Sequence, residues 1–233
     1  CEVIKINRVE RHIIKPNHKH YNLLNEFCYK SKNLYNYANY IIRQEFIKNG
    51  NWIRYNNLDK ILKQEGNNFD YKNMPLASCS QQCLKLLDKN WKSFFQSIKD
   101  YNQNPSKYLG RPKLPKYKPK NGRNILILTS QNCKIQKGIV KFPKTFKGFY
   151  LKTKVNKLQQ VRIIPKDRYL VVEIVYKIND IVPMLDNNKY ISIDLGLDNF
   201  VTVVNNCGLK PFVINGKGLK SINQYYNKQV SYY

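Results

Sequence analysis

Asp194 is the residue whose type and setting most directly predict chemistry in this sequence. It follows the apolar Ile191 and Ile193, precedes Leu195, and is followed by Gly196. A carboxylate inside an apolar strand is costly to bury unless a metal or another cation pairs with it. The motif therefore predicts a metal-binding carboxylate. Two alternatives remain open: a strand and turn that cradle the phosphates of ATP, and an aspartate that only caps the turn.

A second candidate site is the proline-rich basic segment 104–120, which together with residues 121–123 we call the connector. Four prolines between residues 105 and 119 exclude a continuous helix, and basic residues recur every few positions. Such a stretch is suited to lie along a phosphate backbone, although a solvated linker is the alternative. The residues predicted to bind nucleic acid are Lys107, Tyr108, Arg111, Lys113, Lys116, Tyr117, Lys118, Lys120 and Arg123, together with Lys217 and Lys220 near the C-terminus.

The charge of the chain favours a polyanionic partner. There are 41 Lys and Arg against 15 Asp and Glu, a formal net charge of +26. Abundant Lys, Asn, Ile and Tyr are typical of an AT-rich genome, but that bias does not remove acids, and residues 102–166 contain none. Nucleic acid is favoured over an anionic membrane surface or solvated charge. The 18 Tyr and 10 Phe offer stacking surfaces for single strands or RNA, although many must be core.

The cysteines and the hydropathy pattern limit the class of protein. The six cysteines form no C-x-x-C pair, and Cys79 and Cys83 have helical spacing, which argues against a zinc site and a disulfide framework. The sequence has no apolar run long enough to predict a membrane span, so we expect a cytoplasmic protein. The first residue is Cys1 rather than Met, which suggests a fragment.

Hydrophobic periodicity predicts an α+β fold. Residues 2–14 indicate one or two strands, and steps of three and four from Tyr21 to Asn49 indicate a long helix. A short helix is expected at 58–64, and a second long one from Ser78, where Ser78 and Gln81 form a capping-box pattern. Strands are expected at 125–129, 139–142, 149–153, 161–164 and 169–178, followed by a linker at 180–188 and three more short strands.

The order of these elements predicts the domain organisation. The first strands have no other sheet to join, so the helical block is expected to be an insertion into a small β-barrel. The predicted domains are residues 1–20, the first strands of the barrel; 21–101, an inserted helical lobe; 102–183, the connector and the rest of the barrel; and 184–233, the beginning of an α/β domain.

The strand, the Asp-x-Gly turn and the following hairpin resemble the local signature of the RNase H superfamily. In that superfamily an aspartate on the first strand helps to hold two divalent ions that cleave a phosphodiester. This resemblance implies that Asp194 is a catalytic residue and a metal ligand, with Mg²⁺ as the cofactor.

Several stretches resemble the TnpB or OrfB proteins of insertion sequences, RNA-guided nucleases related to type V CRISPR effectors. They occur in the family's order at residues 31–36, 81–95, 110–118, 161–165, 193–196 and 214–228. The resemblance implies a wedge-type barrel with an inserted helical recognition lobe, followed by an RNase H-like (RuvC) nuclease domain. It also implies a transposon-encoded guide RNA and a target DNA, double-stranded and unwound, as partners.

The sequence departs from this family in its acidic residues. The family's Glu, second Asp and four-cysteine zinc ribbon lie downstream of the positions present here, and no acid follows Asp198. Gly218 replaces a usual proline. We therefore expect an incomplete nuclease domain with exposed apolar surface, and no DNA cleavage by this chain alone. Alternatives are a naturally truncated, inactive RNA- or DNA-binding remnant that acts as a repressor or accessory protein, and a basic ribosomal or RNA-chaperone protein, which would leave Asp194 unexplained.

Overall fold

The computed structural model describes residues 3–64, 69–181 and 188–232. The chain divides into two compact units, one spanning Ile4–Asp180 and the other comprising Cys1–Val3 and Ile181–Tyr233. The predicted linker at 180–188 lies for the most part outside the described residues. No helix in the described ranges combines the length and the apolar character that a membrane crossing requires.

The secondary structure confirms the mixed α and β class. The helices are α1 (Tyr21–Asn49), α2 (Tyr55–Lys63), α3 (Phe69–Lys72), α4 (Ala77–Gln103) and α5 (Lys217–Val230), with 3-10 turns at Pro105–Lys107 and Lys144–Phe146. The strands are β1 (Val3–Ile14), β2 (Leu126–Thr129), β3 (Lys134–Gln136), β4 (Ile139–Lys141), β5 (Tyr150–Lys152), β6 (Leu158–Pro165), β7 (Leu170–Ile181), β8 (Ile191–Leu195), β9 (Asn199–Asn205) and β10 (Phe212–Asn215).

The first unit contains a four-stranded sheet in the order β1-β7-β6-β2 and a three-stranded sheet in the order β3-β4-β5. β2 and β7 both pair antiparallel with β6. β7 is an interior strand, and residues 170–175 are all buried, because both faces of this strand are covered. Helices α1–α4 lie in the chain between β1 and β2, two strands of the same sheet.

Three neighbouring strands of the large sheet meet at one buried carboxylate. Glu173 on β7 is only 6% exposed and accepts a hydrogen bond from Arg11 Nε on β1 at 3.0 Å. Arg162 lies on β6 directly opposite Glu173, and one of its guanidinium nitrogens is 3.9 Å from the other carboxylate oxygen of Glu173. Two arginines around one acid leave this part of the sheet net positive.

The long helices form because large apolar residues repeat at three- and four-residue steps. α1 buries Leu24, Phe27, Leu34, Ala38 and Ile42, among others, and α4 buries Cys83, Leu84, Leu87 and Trp91. α1 packs on α4, and both contribute to the main hydrophobic core with the large sheet.

The sequence predictions missed α3, and they also differ from the structure at the start of α4 and at β3. The prediction of a capping box at Ser78 was wrong. Helix α4 begins at Ala77 and follows Leu76, and the Ser78 hydroxyl donates a hydrogen bond to Asn132 Oδ1 at 2.8 Å rather than capping the helix. β3 was not predicted, because Ile135 is its single apolar residue. It pairs with β4 through Lys137 and Gly138, whose φ values of 48° and 70° are those of a type I′ turn.

The second unit is an antiparallel meander, β8-β9-β10, followed by α5. In the described part of this unit most large apolar side chains are exposed; Val203, at 9%, is the buried hydrophobic residue. The prediction of exposed apolar surface is therefore confirmed for these residues.

Candidate nucleic-acid interface and candidate metal carboxylate

The connector is fixed along α1 rather than running free through solvent. Its binding surface on α1 is a polar stripe at alternating steps of four and three residues, formed by Asn25, Tyr29, Lys32, Asn36, Asn39 and Arg43. Residues at this spacing share one face of a helix. The connector crosses the stripe in the opposite direction, from Pro115 near Arg43 to Arg123 near Asn25.

Side chains of the stripe bind the connector through its backbone. Lys32 Nζ donates to the Lys120 carbonyl at 2.8 Å. Asn36 makes two bonds with Lys118: its Nδ2 donates to the carbonyl at 2.9 Å, and its Oδ1 accepts the Lys118 N–H at 2.8 Å. Because these bonds use backbone groups, they fix the path of the connector and leave its side chains available.

Asn39 is the most buried of these anchors. Its side chain is fully buried, donates to the Pro115 carbonyl at 3.0 Å and accepts a hydrogen bond from Trp91 Nε1 at 3.0 Å. Arg43 donates to the same Pro115 carbonyl at 3.3 Å and lies over the Tyr117 ring, 4.8 Å from its centroid. One amide therefore links α1, α4 and the connector.

The residue that directly follows the connector is also tightly held. The buried Asn124 donates its backbone N–H to the Cys28 carbonyl at 3.0 Å, and its side chain donates to Ser31 Oγ at 3.2 Å. Ser31, also buried, donates to the Ile125 carbonyl at 2.8 Å. Buried polar groups that all have hydrogen-bond partners specify one arrangement of the chain, so these bonds fix the position of the start of β2 against α1.

The predicted binding residues of the connector divide into two groups. The exposed group is Arg111, Lys113, Lys116, Tyr117 and Lys120, of which Tyr117 also has the Arg43 guanidinium over its ring. The second group has partners within the protein, and comprises Lys107, Tyr108, Lys118 and Arg123. Tyr108 donates to Asp100 at 2.8 Å, Lys107 lies 3.6 Å from the same carboxylate, and Lys118 Nζ lies over the Tyr35 ring. The Tyr108 hydrogen bond lowers the pKa of the Asp100 carboxyl.

Arg123 is the most heavily engaged member of the second group. Its Nε donates to Asn25 Oδ1 at 2.9 Å, its NH1 group donates to the carbonyls of Asn121 and Gly122, and its guanidinium lies over the Tyr29 ring. These contacts make Arg123 a positioning residue for the end of the connector. The first group is therefore better placed for a ligand than the second.

Asp194 lies on β8, but its setting differs from the prediction. β8 pairs with β9 so that Asp194 is opposite Thr202 and Ile193 opposite Val203. Side chains alternate across a strand, so Ser192 and Asp194 share a face with Thr202, whereas Ile191, Ile193 and Leu195 share the other. Asp194 is exposed. The argument that a buried anion requires a cation is therefore wrong for this unit as described, and the case for a metal rests on the motif.

The turn after Asp194 is closed by glycine backbone. Gly216 donates its N–H to the Asp198 carbonyl at 2.9 Å, and a Cβ on Gly216 would lie 2.7 Å from the Leu197 carbonyl oxygen. Likewise, a Cβ on Gly196 would lie 2.8 Å from the Asn199 carbonyl oxygen. Both positions need glycine because backbone approaches closely there.

The second nearby acid is occupied by a lysine. Asp198 Oδ1 accepts a hydrogen bond from Lys220 Nζ at 2.7 Å, and both side chains are about half exposed or more. Lys220, predicted to bind nucleic acid, is thus paired, whereas Lys217 is exposed at the start of α5. Within the described residues no group of three His, Cys, Asp or Glu could hold a metal ion. These residues alone do not fit the Mg²⁺ pair that the resemblance implies.

Sequence reasoning missed the polar stripe on α1. Its spacing was visible, but polar residues at helical spacing usually face solvent, and their partners lie 72 to 98 residues away in the chain. The signal that could have identified it is the amide content of the stripe, since Asn is a poor helix former and is costly to bury without partners.

Comparison with known proteins gives one family match. Residues 173–231 match the model of the OrfB_IS605 family, described as "Probable transposase". No curated protein matches the chain.

Two solved structures are similar at low identity. One is a Cas12f1 chain in a cryo-EM complex with sgRNA and target DNA, with 10% identity and a TM-score of 0.38, over 97% of this chain and 61% of that one. The other is a chain of a CRISPR-Cas12f ternary complex, with 11% identity and a TM-score of 0.34, over 89% and 51%. This chain thus spans about half to three fifths of their length. The similarity to the OrfB_IS605 transposase family is thus confined to residues 173–231.

Proposed function

We propose that this chain is the nucleic-acid-binding N-terminal portion of a TnpB-type RNA-guided DNA endonuclease, and that it binds a guide RNA and its target DNA. The observation that carries the proposal is the connector: an acid-free basic segment held on α1 by its backbone, with cationic side chains exposed. A fixed row of cations loses little conformational entropy when it binds phosphates, whereas a free linker would lose much more.

The fold supports the same proposal. We infer that the two antiparallel sheets correspond to the wedge-type barrel and that α1–α4, placed between β1 and β2, correspond to its recognition lobe. The meander β8-β9-β10 followed by α5 is consistent with the start of a RuvC-type domain.

The exposed cations of the connector set the expected strength of binding. Arg111, Lys113, Lys116 and Lys120 lie within ten successive residues, which in extended conformation reach at most about 30 Å. That length covers several phosphates of a single strand. If each cation neutralises one phosphate, the four together contribute about 3 to the slope of log affinity against log salt.

The test is a salt titration of RNA binding. A variant with Arg111, Lys113, Lys116 and Lys120 all replaced by Gln is compared with the unchanged chain and with a matched control. The control replaces four exposed lysines of the same unit, Lys60, Lys72, Lys92 and Lys141, by Gln. Both variants lose four charges. We expect the connector variant to lose about 3 in salt slope, and the control to lose much less. Equal losses in both variants would mean that total charge rather than the connector binds RNA.

Asp194 is proposed to supply one carboxylate of a divalent-ion site whose other ligands are not among the described residues. Its position supports this: it is exposed on the polar face of β8, just before the glycine turn. With guide RNA, target DNA and Mg²⁺, we expect these 233 residues to bind without cleaving. Cleavage that is lost in Asp194→Asn would show instead that this chain completes the site itself.

A further inference from the structure

A cavity of about 530 Å³ lies between the second half of α1, the second half of α4 and the connector. Its inner wall is aromatic: Phe46, Phe94 and Phe95 line it, and their ring centroids lie 5.2 to 6.5 Å apart. These three rings are partly exposed, whereas Trp91 behind them is fully buried. The core therefore fixes the rings from behind while leaving aromatic surface open.

The rim of the cavity is cationic. Arg43, Arg111, Lys113 and Lys116 line it, and none of the lining residues is acidic. The Arg43 guanidinium is fixed by the Pro115 carbonyl and the Tyr117 ring, and the other three side chains are exposed on the connector. An apolar ligand alone would gain nothing from four cations. An aromatic group attached to phosphates would use both the wall and the rim.

We propose that this cavity receives one unstacked nucleobase of a single strand, while the neighbouring phosphates bind the rim. The proposal rests on the proposed function, because it names the element that grips a base within the same nucleic-acid interface. Its volume falls in the range of about 300–1,000 Å³ found for small-ligand pockets. Stacking on aromatic rings tolerates any base, so the site contributes affinity without reading sequence.

The test separates the base from the phosphates. Two single strands of equal length are compared, an oligouridylate and the same backbone without bases, so that the number of phosphates is constant. We expect the chain to prefer the strand with bases by about tenfold. Phe94→Leu keeps the wall apolar but removes a stacking ring, and should reduce this preference severalfold while leaving the salt slope unchanged. The matched control is Phe69→Leu, at a phenylalanine that is 78% exposed on α3.

A second measurement does not depend on any variant. Photocrosslinking of a strand that contains 4-thiouridine, followed by peptide mapping, should mark residues 43–46, 91–98 or 111–116. Crosslinks found in other peptides alone would overturn the nucleobase site, as would equal affinity for the two strands. If the chain bound both strands equally with a steep salt slope, the proposed function would stand without this site. If neither strand bound, both proposals would fail.

Discussion

Replacing Asn39 by Ala tests the claim that one buried amide joins α1, α4 and the connector. The substitution removes the acceptor of the Trp91 indole N–H and one of the donors to the Pro115 carbonyl. Trp91 is fully buried, so its N–H has no access to water, and an unsatisfied donor there costs about 1–3 kcal/mol. The Pro115 carbonyl keeps its hydrogen bond from Arg43, so the loss of the hydrogen bond from Asn39 costs only about 1 kcal/mol. Together the free energy of unfolding should fall by about 2–4 kcal/mol.

Urea unfolding followed by tryptophan fluorescence measures this change, since Trp52 and Trp91 both lie in the first unit. The midpoint should fall by about 1–2 M urea. Asn36→Ala is the control: this amide is only partly buried, and the Lys118 groups it frees are near solvent, so a cost of about 1 kcal/mol is expected.

A double-mutant cycle decides whether the reasoning is right. In a Trp91→Phe background no indole N–H remains to be orphaned, so Asn39→Ala should cost only about 1 kcal/mol. An equal cost of Asn39→Ala in both backgrounds would refute the bridging role of this amide.

Three further predictions concern other parts of the molecule. Gly216→Ala should destabilise the second unit by about 1–3 kcal/mol, because its Cβ would press on the Leu197 carbonyl, whereas Gly218→Ala, with open space around it, should not; hydrogen exchange of β8 and β9 reports the difference. Burial raises the pKa of four thiols to about 12, those of Cys28, Cys79, Cys83 and Cys133. Alkylation at neutral pH should therefore modify the exposed Cys207 and leave these four unmodified, which peptide mapping would show. As the pH rises, these thiols ionise in the unfolded chain before they ionise in the folded one. The free energy of unfolding should therefore fall between pH 9.0, their ordinary pKa, and pH 12, by about 1.4 kcal/mol per thiol and pH unit. A Cys28→Ala variant should show a shallower fall in alkaline denaturation.

Local patterns in the sequence predicted much of the fold. The three- and four-residue spacing of large apolar side chains predicted α1 and α4 to within a few residues, because these side chains form the main core. The apolar runs of β2, β4, β5, β6 and β7 were equally visible. β3 was not, since a three-residue edge strand with Ile135 alone carries almost no periodicity.

The candidate sites were harder to predict, for two physical reasons. Contacts between the stripe and the connector join residues far apart in the chain, and no local pattern encodes which distant backbone will meet Asn36 or Asn39. The prediction for Asp194 assumed that an aspartate inside an apolar strand is buried, whereas all five residues of β8 are exposed in the described unit. Alternation along β8 places Ser192 and Asp194 on one face, but a local pattern does not show whether either face is covered.

The shared use of Asn39 by Trp91 and Pro115 also orders the folding of the first unit. Before α4 packs, joining Pro115 to α1 would close a loop of 76 residues, which costs about 1 kcal/mol more in chain entropy than closing the stretch from residue 91 to 115. Once Trp91 has met Asn39, only the stretch from residue 91 to 115 remains to be closed. The helical pair should therefore assemble first and the connector dock afterwards.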